Sequence, residues 1–391
     1  MAYRRASSRR GGGRRRSVRR RAPRRVNIRK GYGTAMNPYR RANARNANCK
    51  CPGELTPTQK FMLAQLDPFD VKVGGAKIPD SNSLPSISNV DTDIVNVTTT
   101  NALDTLDAVA FRPFYKYSVV NAGSGVGTVS WGATFAANAV DRTKLTQYAG
   151  QIELTRPVAH AVRITCPLAP TSTTGFVHIG LATESTYGRT TWDYPTTVAQ
   201  MSNLQFYKRL TLASLTQTPF TIINKWIDDT AFRYSDPSSQ LSNSTSMEFQ
   251  TDYGWASIVI MVEAQYAVGV QTLSCEHLLI SEGIPQRDGV FIGSQAAPNS
   301  PGAMATVSGA IASTEPFHSE ADQDSYINQG LRAMAQGAAQ AGEAVFNNVA
   351  LPLLRQVGYA AGGTAAVTAA NAVMGLGGIP GVNANPRRLQ V

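Results

Sequence analysis

Residues 156–166 read RPVAHAVRITC, and no other stretch of the chain says more about its fold class. From Val158 to Cys166, every second residue is apolar or histidine, whereas alanine, arginine and threonine fill the positions between. Side chains on a β-strand point alternately to the two faces of a sheet, so this period of two predicts a strand with two different faces.

Eight other segments give a strand signal. Together with the first, the predicted strands are residues 94–99, 108–120, 127–135, 152–166, 175–182, 206–215, 220–226, 255–264 and 270–281. Helical patterns do not alternate with these segments, which argues against a doubly wound α/β fold. The chain is therefore predicted to be mainly β, as a sandwich or a barrel. One short helix precedes the strands, because Thr56 suits an N-cap and Pro57 the first helical position.

Composition divides the chain into three regions. Residues 1–53 form a basic arm, residues 54–295 the strand-rich core, and residues 296–391 a region rich in alanine and glycine. Within the core, the polar stretches near 184–202 and 228–253 are expected to form surface loops.

The C-terminal region carries one helical signal. A 4-3-4-3-4 spacing of apolar or small residues places them on one face of a helix near residues 325–351, and Pro352 is expected to break or kink it. These residues are Ile327, Leu331, Met334, Ala338, Ala341 and Val345. We interpret this face as a packing surface, with membrane contact as the alternative.

Charge is concentrated at the N-terminus. The whole chain carries +11, yet residues 1–53 hold 16 Arg and 2 Lys without a single Asp or Glu, while the remaining 19 bases and 26 acids give residues 54–391 a net charge of −7. The arm has little apolar surface to offset the entropy of ordering, so we expect it to be disordered.

Nucleic acid is the partner expected for the arm. Its cations have no internal acids to pair with, and the release of counterions favours binding to a polyanion. Few aromatic residues accompany them, so the contacts are expected to be to phosphate and independent of sequence. The residues predicted to bind are Arg4, Arg5, Arg9, Arg10, Arg14, Arg15, Arg16, Arg19, Arg20, Arg21, Arg24, Arg25, Arg29, Lys30, Arg40, Arg41 and Arg45.

The sequence gives no sign of an enzyme. His160, His178 and His277 fall in predicted strands, where a hydrogen-bonded structural role is common, and no nucleophile elbow accompanies them. A hydrolase on a β-sandwich would need a convergent acid, base and nucleophile, which cannot be assembled from this sequence.

No cofactor is predicted, and calcium is the one metal considered. Asp228 and Asp229, or Asp91 with Asp93, could supply carboxylates to a calcium ion shared between subunits. A solvated loop is the simpler interpretation of both pairs.

The sequence predicts neither a secretory signal nor a membrane span, and its cysteines indicate a reducing compartment. The N-terminus lacks the apolar stretch of a secretory signal, and the best apolar run, Trp255–Val262, is far shorter than the roughly 20 residues of a membrane span. Four cysteines are too few for a disulfide framework at this length, so free thiols are expected.

Taken together, these features resemble the capsid proteins of small icosahedral viruses of nodavirus type, and more closely those of the bacilladnaviruses, single-stranded DNA viruses of diatoms. The likeness is carried by MAYRRASSRR at 1–10, LDPFDVKVGGAKIPD at 66–80, RPVAHAVRITCPLAPTSTTGFVHIGL at 156–181, and GWASIVIMVEA and LSCEHLLISEGIP within 254–285. In the last of these, Glu276-His277-Leu278-Leu279 is similar to the closing strand of such capsid proteins.

The resemblance implies an eight-stranded antiparallel jelly-roll sandwich with a helical C-terminal tail. It further implies self-assembly into an icosahedral shell, with the arm inside packaging a viral genome, single-stranded DNA being favoured. The location implied is the virion, with a passage through the host nucleus and a host receptor or membrane contact left open. Self-cleavage at an Asn-Ala bond, which many nodavirus proteins perform, is not carried over, because Asn328 is followed by Gln329.

The rival interpretation is a cellular nucleic-acid-binding protein built on a β-barrel of OB type. Such a barrel needs aromatic and basic residues interleaved on its strands, whereas residues 54–391 are net acidic.

Overall fold

Two antiparallel sheets form the centre of the molecule. The computed structural model describes residues 55–99, 106–113, 117–121, 127–129, 139–140, 151–182, 194–235, 254–267 and 269–341. Its strands are β1 (Ile87–Thr98), β2 (Leu106–Phe111), β3 (Tyr117–Asn121), β4 (Ala139–Val140), β5 (Ile152–Thr165), β6 (Phe176–Ala182), β7 (Phe206–Thr211), β8 (Phe220–Ile223), β9 (Ser257–Glu263), β10 (Gln271–Pro285) and β11 (Phe317–Ser319). Its helices are α1 (Pro57–Ala64), α2 (Val198–Ser202), α3 (Leu212–Leu215), α4 (Pro301–Ser313) and α5 (Gln323–Ala341).

The strand order is that of a jelly roll. The first sheet runs β1-β10-β5-β8-β11 and the second β4-β3-β2-β9-β6-β7. Eight strands pair antiparallel from the outside of the sequence inwards, β1 with β10, β2 with β9, β5 with β8 and β6 with β7. A long hairpin ribbon wrapped into two facing sheets gives this pattern. The predicted eight-stranded jelly roll is therefore confirmed, and the two-sheet sandwich is not the closed barrel that the rival interpretation needs.

The alternation in residues 158–166 serves two cores. Val162 and Ile164 are fully buried between the sheets, where they join Ile179 and Ile260 from the second sheet. Ala159 points to the other face of β5 and is also buried. In the middle of this strand both faces are therefore buried, because helices cover the outside of the first sheet there.

The helical layer consists of α1, α4 and α5 packed on the outside of the first sheet, where Leu278 and Ile280 of β10 join their core. The predicted start of α1 is confirmed: the Thr56 hydroxyl accepts from the Gln59 amide at 3.3 Å, and Gln59 Oε1 accepts from the Thr56 amide at 2.9 Å. This reciprocal capping box fixes the point at which the layer begins.

The predicted apolar face of α5 packs into this layer. Ile327, Leu331 and Met334 are buried, whereas the side chains of Ala338 and Ala341 and all of Val345 lie outside the described residues. Gly330, which interrupts the apolar face, touches Leu66: a Cβ in its place would come within 2.3 Å of a Leu66 methyl group. α5 runs from Gln323 to Ala341, and the rest of the predicted helix, 342–351, is outside the described residues. Among the described helices, none is both long and apolar enough to cross a bilayer.

Two predicted strands are shorter than expected. Residues 108–120 form β2 and β3 instead of one strand, because Arg112 precedes Pro113, which lacks an N–H for the ladder. Residues 206–215 leave the sheet after Thr211, whose hydroxyl accepts from the Ser214 amide at 3.3 Å and begins α3.

Other elements differ from the sequence prediction at their ends. β1 begins at Ile87, seven residues before the predicted start, and β8 ends at Ile223, short of Trp226. The polar stretch near 184–202 ends in α2, and the one near 228–253 begins with the 3-10 helix Asp229–Phe232. The described part of the chain does not include residues 183–193 and 236–253 of the two predicted loops. It also does not include residues 130–138, where most of the predicted strand 127–135 lies.

One helix was missed altogether. Residues expected to form a loop after 296 contain α4, which Ser300 caps by accepting from the Ala303 amide at 3.3 Å, with Pro301 at the first helical position. The Ser-Pro pair repeats the Thr56-Pro57 signal of α1, but the small residues of α4 do not form an apolar stripe that would have revealed it.

Candidate assembly interface

The residues predicted to bind nucleic acid, from Arg4 to Arg45, lie outside the described residues, as do Cys49 and Cys51. Leu55, the first of the described residues, is buried in the core of the helical layer beside α1. The basic arm therefore precedes α1 directly in the chain.

A buried ion-pair network holds one end of the sandwich. Arg156 of β5 is 1% exposed, and its Nη2 and Nε donate to Glu282 Oε2 of β10 at 2.8 and 3.1 Å. Its guanidinium also donates to both carboxylate oxygens of Asp80, which lies before β1. Burial alone would raise the pKa of Asp80, but hydrogen bonding to Arg156 and its charge hold that pKa below the usual value. The network ties residues 76–86, which we call the strap, to the first sheet.

A second buried cation completes the attachment of the strap. Lys77 Nζ donates to the carbonyl oxygens of Ser86, Ser294 and Gln295 at 2.6, 3.0 and 3.0 Å. The Ser86 hydroxyl in turn donates to Glu282 Oε1 at 2.6 Å, which joins the two cations into one cluster. Since every one of these groups is buried or partly buried, leaving any one unpaired would be costly. The strap and the chain after β10 are thus held rigidly together.

An apolar patch lies on this rigid base. Gly293 packs so closely on Pro85 that a Cβ there would come within 2.8 Å of the Pro85 carbonyl carbon, which brings the strap next to residues 290–292. The patch consists of Leu84, Val290, Phe291 and Ile292, which are 52, 85, 46 and 92% exposed. Large apolar side chains grouped in water are typical of protein interaction sites, so this apolar patch is the candidate assembly interface.

The acidic residues considered for calcium are separated. Asp228 Oδ1 accepts from the Thr230 amide at 2.8 Å and so caps the 3-10 helix, whereas Asp91 and Asp93 lie on β1. Asp93 Oδ1 accepts from the Ile94 amide at 2.9 Å. In the described ranges, no three His, Cys, Asp or Glu side chains are grouped as they would be around a metal ion.

Two of the strand histidines meet inside the sandwich. His160 of β5 and His277 of β10 are fully buried, with their Nε2 atoms 2.5 Å apart. Asn224 Nδ2 lies 2.7 Å from His160 Nδ1 and donates to the Ala256 carbonyl oxygen at 2.8 Å. This chain of polar contacts links β5, β10 and the end of β8 in the core.

The third strand histidine joins three strands of the second sheet. His178 of β6 is 1% exposed, with Nδ1 2.8 Å from the Tyr207 hydroxyl and Nε2 3.0 Å from Glu263 Oε2. Burial lowers the pKa of His178, although Glu263 opposes this effect. The neutral ring therefore accepts from Tyr207 and donates to Glu263, which is a structural arrangement across β7, β6 and β9.

Both described cysteines are free thiols, as expected. Cys166 and Cys275 are buried in the sandwich, and burial raises the pKa of each, to about 12 for Cys275. The thiols are therefore protonated core residues.

The apolar patch and its buried cations were not predicted from the sequence. Arg156 and Glu282 each stand in a strand that is otherwise mostly apolar, and charges in such strands are buried only when paired. That signal could have singled them out, but their partners Asp80 and Lys77 lie far away in the chain.

No protein-family model matches the sequence, and no curated protein matches it. Among solved structures, infectious bursal disease virus, Gx strain, is similar over 70% of this chain and 98% of that chain, with 9% identity and a TM-score of 0.47. Cocksfoot mottle virus is similar over 51% of this chain and 94% of that chain, with 13% identity and a TM-score of 0.31. Tobacco necrosis virus is similar over 51% of this chain and 97% of that chain, with 14% identity and a TM-score of 0.30. Each is the structure of a virus.

Proposed function

We propose that this chain is a viral capsid protein, with a structural rather than a catalytic role. Its jelly roll assembles with further copies into a closed icosahedral shell, and its arm binds the packaged genome. The observation that carries the proposal is a jelly roll preceded in the chain by residues 1–53, which hold 18 cations and no acid. The rest of the chain, with a net charge of −7, offers too few acids to neutralise many such arms, so an external polyanion is needed.

The apolar patch supports self-assembly. Its four side chains are exposed in a single copy, and burying them against another copy stabilises the assembly by about 25 cal/mol for each Å² of apolar surface. The buried contacts of Arg156 and Lys77 hold the patch in one conformation, which lowers the entropy lost on association.

Genome binding is coupled to growth of the shell. Each added subunit brings 18 positive charges, and each phosphate neutralised releases condensed counterions. Packaging is therefore expected to weaken steeply as salt rises, and to depend little on the sequence of the nucleic acid.

The connection of the arm favours one orientation of the subunit. The chain enters α1 directly after the arm, so we place the outside of the first sheet, with α1, α4 and α5, toward the genome. The resemblance to bacilladnavirus capsid proteins favours single-stranded DNA as the packaged nucleic acid and the virion as the location, with the host nucleus a site of assembly and a receptor or membrane contacted at entry.

Purification of the full chain from an expression host tests the proposal. The material is treated with nuclease, sedimented, and its protected nucleic acid is extracted and digested separately with DNase and RNase. We expect fast-sedimenting particles with protected nucleic acid that is lost when the particles are opened in high salt. Protein that sediments as a monomer and protects no nucleic acid would refute the capsid role.

A further inference from the structure

A groove of about 510 Å³ lies where the two sheets end on the same side of the sandwich. One wall is β7, the last strand of the second sheet, and the other is β11, the last strand of the first sheet, with the first turns of α5 beside it. Leu210, Phe220 and Phe317 give the groove an apolar floor. Among the described strands, none pairs with the outer side of β7 or β11, so these two sheet edges face one apolar channel.

The backbone of β11 is arranged to accept another strand. The Ile223 amide donates to the Pro316 carbonyl oxygen at 2.9 Å, and the Glu320 amide donates to the Pro219 carbonyl oxygen at 3.1 Å. Since hydrogen-bonded pairs alternate along an antiparallel ladder, the N–H and C=O groups of Phe317 and Ser319 point away from β8. An extended peptide can pair with these groups in the manner of strand addition.

A buried histidine also lines the groove. His318 is 6% exposed and its ring stacks on Tyr326, with ring centroids 4.2 Å apart and planes 15° apart. Within the described residues, His318 Nδ1 is buried and has no hydrogen-bond partner. Buried polar atoms are normally hydrogen-bonded, so an occupant of the groove that reached this ring nitrogen would satisfy it.

The charges at the mouth favour a basic occupant. Lys208 pairs with Glu315 at 3.5 Å, which leaves Asp322 as the lining acid without an ion pair among the described residues. The chain that follows α5 is basic, with Arg355, Arg387 and Arg388 against the single acid Glu343.

The C-terminal segment 386–391, PRRLQV, has the pattern of a strand that fits this groove. Leu389 and Val391 alternate with Arg388 and Gln390, so a strand would direct the apolar pair to one face and Arg388 to the other. The segment can also reach: from Ala341 back to Gln329 at the groove is about 18 Å along the helix, a span of about six extended residues.

We propose that the groove between β7 and β11 binds residues 386–391 of the same chain as an added strand, with Leu389 and Val391 on the apolar floor and Arg388 paired with Asp322. The inference does not depend on the capsid role, because a single copy of the chain contains both partners. The tether keeps the segment at a high effective concentration, so binding within one chain is favoured over binding between chains.

Photo-crosslinking of the full chain tests this pairing. Benzoylphenylalanine replaces Gln329, an exposed residue at the groove, and in a control protein it replaces Gln336, an exposed residue of α5 that does not line the groove. We expect mass spectrometry to find crosslinks from position 329, but not from 336, to residues 386–391 in protein that still runs at the mass of one chain. Crosslinks to residues 1–53, to a second chain, or from both positions equally would overturn the proposal.

Charge exchange then separates pairing from damage to the fold. Asp322→Lys is expected to lower the crosslink yield about tenfold, as loss and reversal of a charge pair would. Asp324→Lys, a matched change at an exposed acid two residues further along, in the first turn of α5 and outside the groove, is expected to leave the yield unchanged. Adding Arg388→Asp to Asp322→Lys should restore it. An unchanged yield in Asp322→Lys, or no recovery in the double variant, would also overturn the proposal.

Discussion

The arm and the jelly roll use their charged residues in opposite ways. The arm holds 18 cations and no acid within 53 residues. Its expected binding to phosphate depends on how many cations it has and not on the order of its residues. The jelly roll buries its few internal charges in specific pairs such as Arg156 with Glu282, and each charge is stabilised only by a partner at that position. On the proposed function, genome binding and shell formation therefore depend on different parts of the chain, and they should fail under different changes.

Deleting residues 4–30 gives the largest expected effect on the arm alone. The deletion removes 14 of the 18 arm charges, so we expect packaged nucleic acid to fall to background while residues 55–341 remain folded. The ratio of absorbance at 260 and 280 nm in purified material measures the loss, and circular dichroism checks the fold. The matched control replaces the arm arginines with lysine and should retain most packaging, because phosphate contacts need charge. Full packaging by the deletion protein would show that the arm does not bind the genome.

The opposite change should abolish assembly and leave nucleic-acid binding intact. Ile292→Asp together with Val290→Asp places two carboxylates on the apolar patch, where both residues are almost fully exposed. We expect no closed particles, since the patch could be buried only with unpaired charges. The free energy of unfolding should change little, by about 0.5 kcal/mol or less for each surface substitution. Val71→Asp, a change at another fully exposed valine away from the patch, is the control and should assemble normally. Assembly at normal yield by the double variant would remove the patch from the interface.

A third change tests whether the contribution of a charge pair to the stability of the jelly roll depends on its burial. Glu282→Gln removes the buried partner of Arg156 and should lower the free energy of unfolding by about 3 kcal/mol. Glu276→Gln, on the same strand, weakens the half-exposed pair with Arg163 at 3.4 Å and should cost less than about 1 kcal/mol. Urea denaturation of the two variants gives the comparison. Equal losses would mean that the strap is not held by its buried ions.

Acid is expected to act on the jelly roll and spare the arm, whose arginines stay charged. Burial, with a contribution from Arg163, lowers the pKa of His318 to about 4, while Asp322 opposes the shift. As pH falls from about 6.5 to 4, the unfolded chain takes up a proton that the folded chain refuses, so the folded state loses stability, by at most about 3 kcal/mol. His318→Phe keeps a ring against Tyr326 and should flatten this part of the pH dependence of urea unfolding. An identical pH profile in the variant would show that His318 does not titrate in this range.

The parts of the fold that could be predicted are those that depend on residues close together in the sequence. Alternation in residues 158–166 predicted β5, and Thr56 with Pro57 predicted the start of α1, because strand period and helix capping are local. β1 began earlier than expected, since the residues between Ser88 and Asp93 are largely polar although they pair with β10 throughout.

Long-range features could not be predicted. Asp80, Arg156 and Glu282 are brought together only by the fold, and the groove exists only because β7 and β11 end two different sheets on one side. The arm is the reverse case, since its predicted role rests on composition alone and stays a prediction.

Electron microscopy of the purified full chain tests the central claim most directly. If the jelly roll is a shell subunit and the arm condenses the genome within, negative-stain images should show closed particles of uniform diameter whose interiors exclude the stain, and the deletion of residues 4–30 should leave closed particles that fill with stain. A field of separate monomers at the same concentration and low salt would contradict the account.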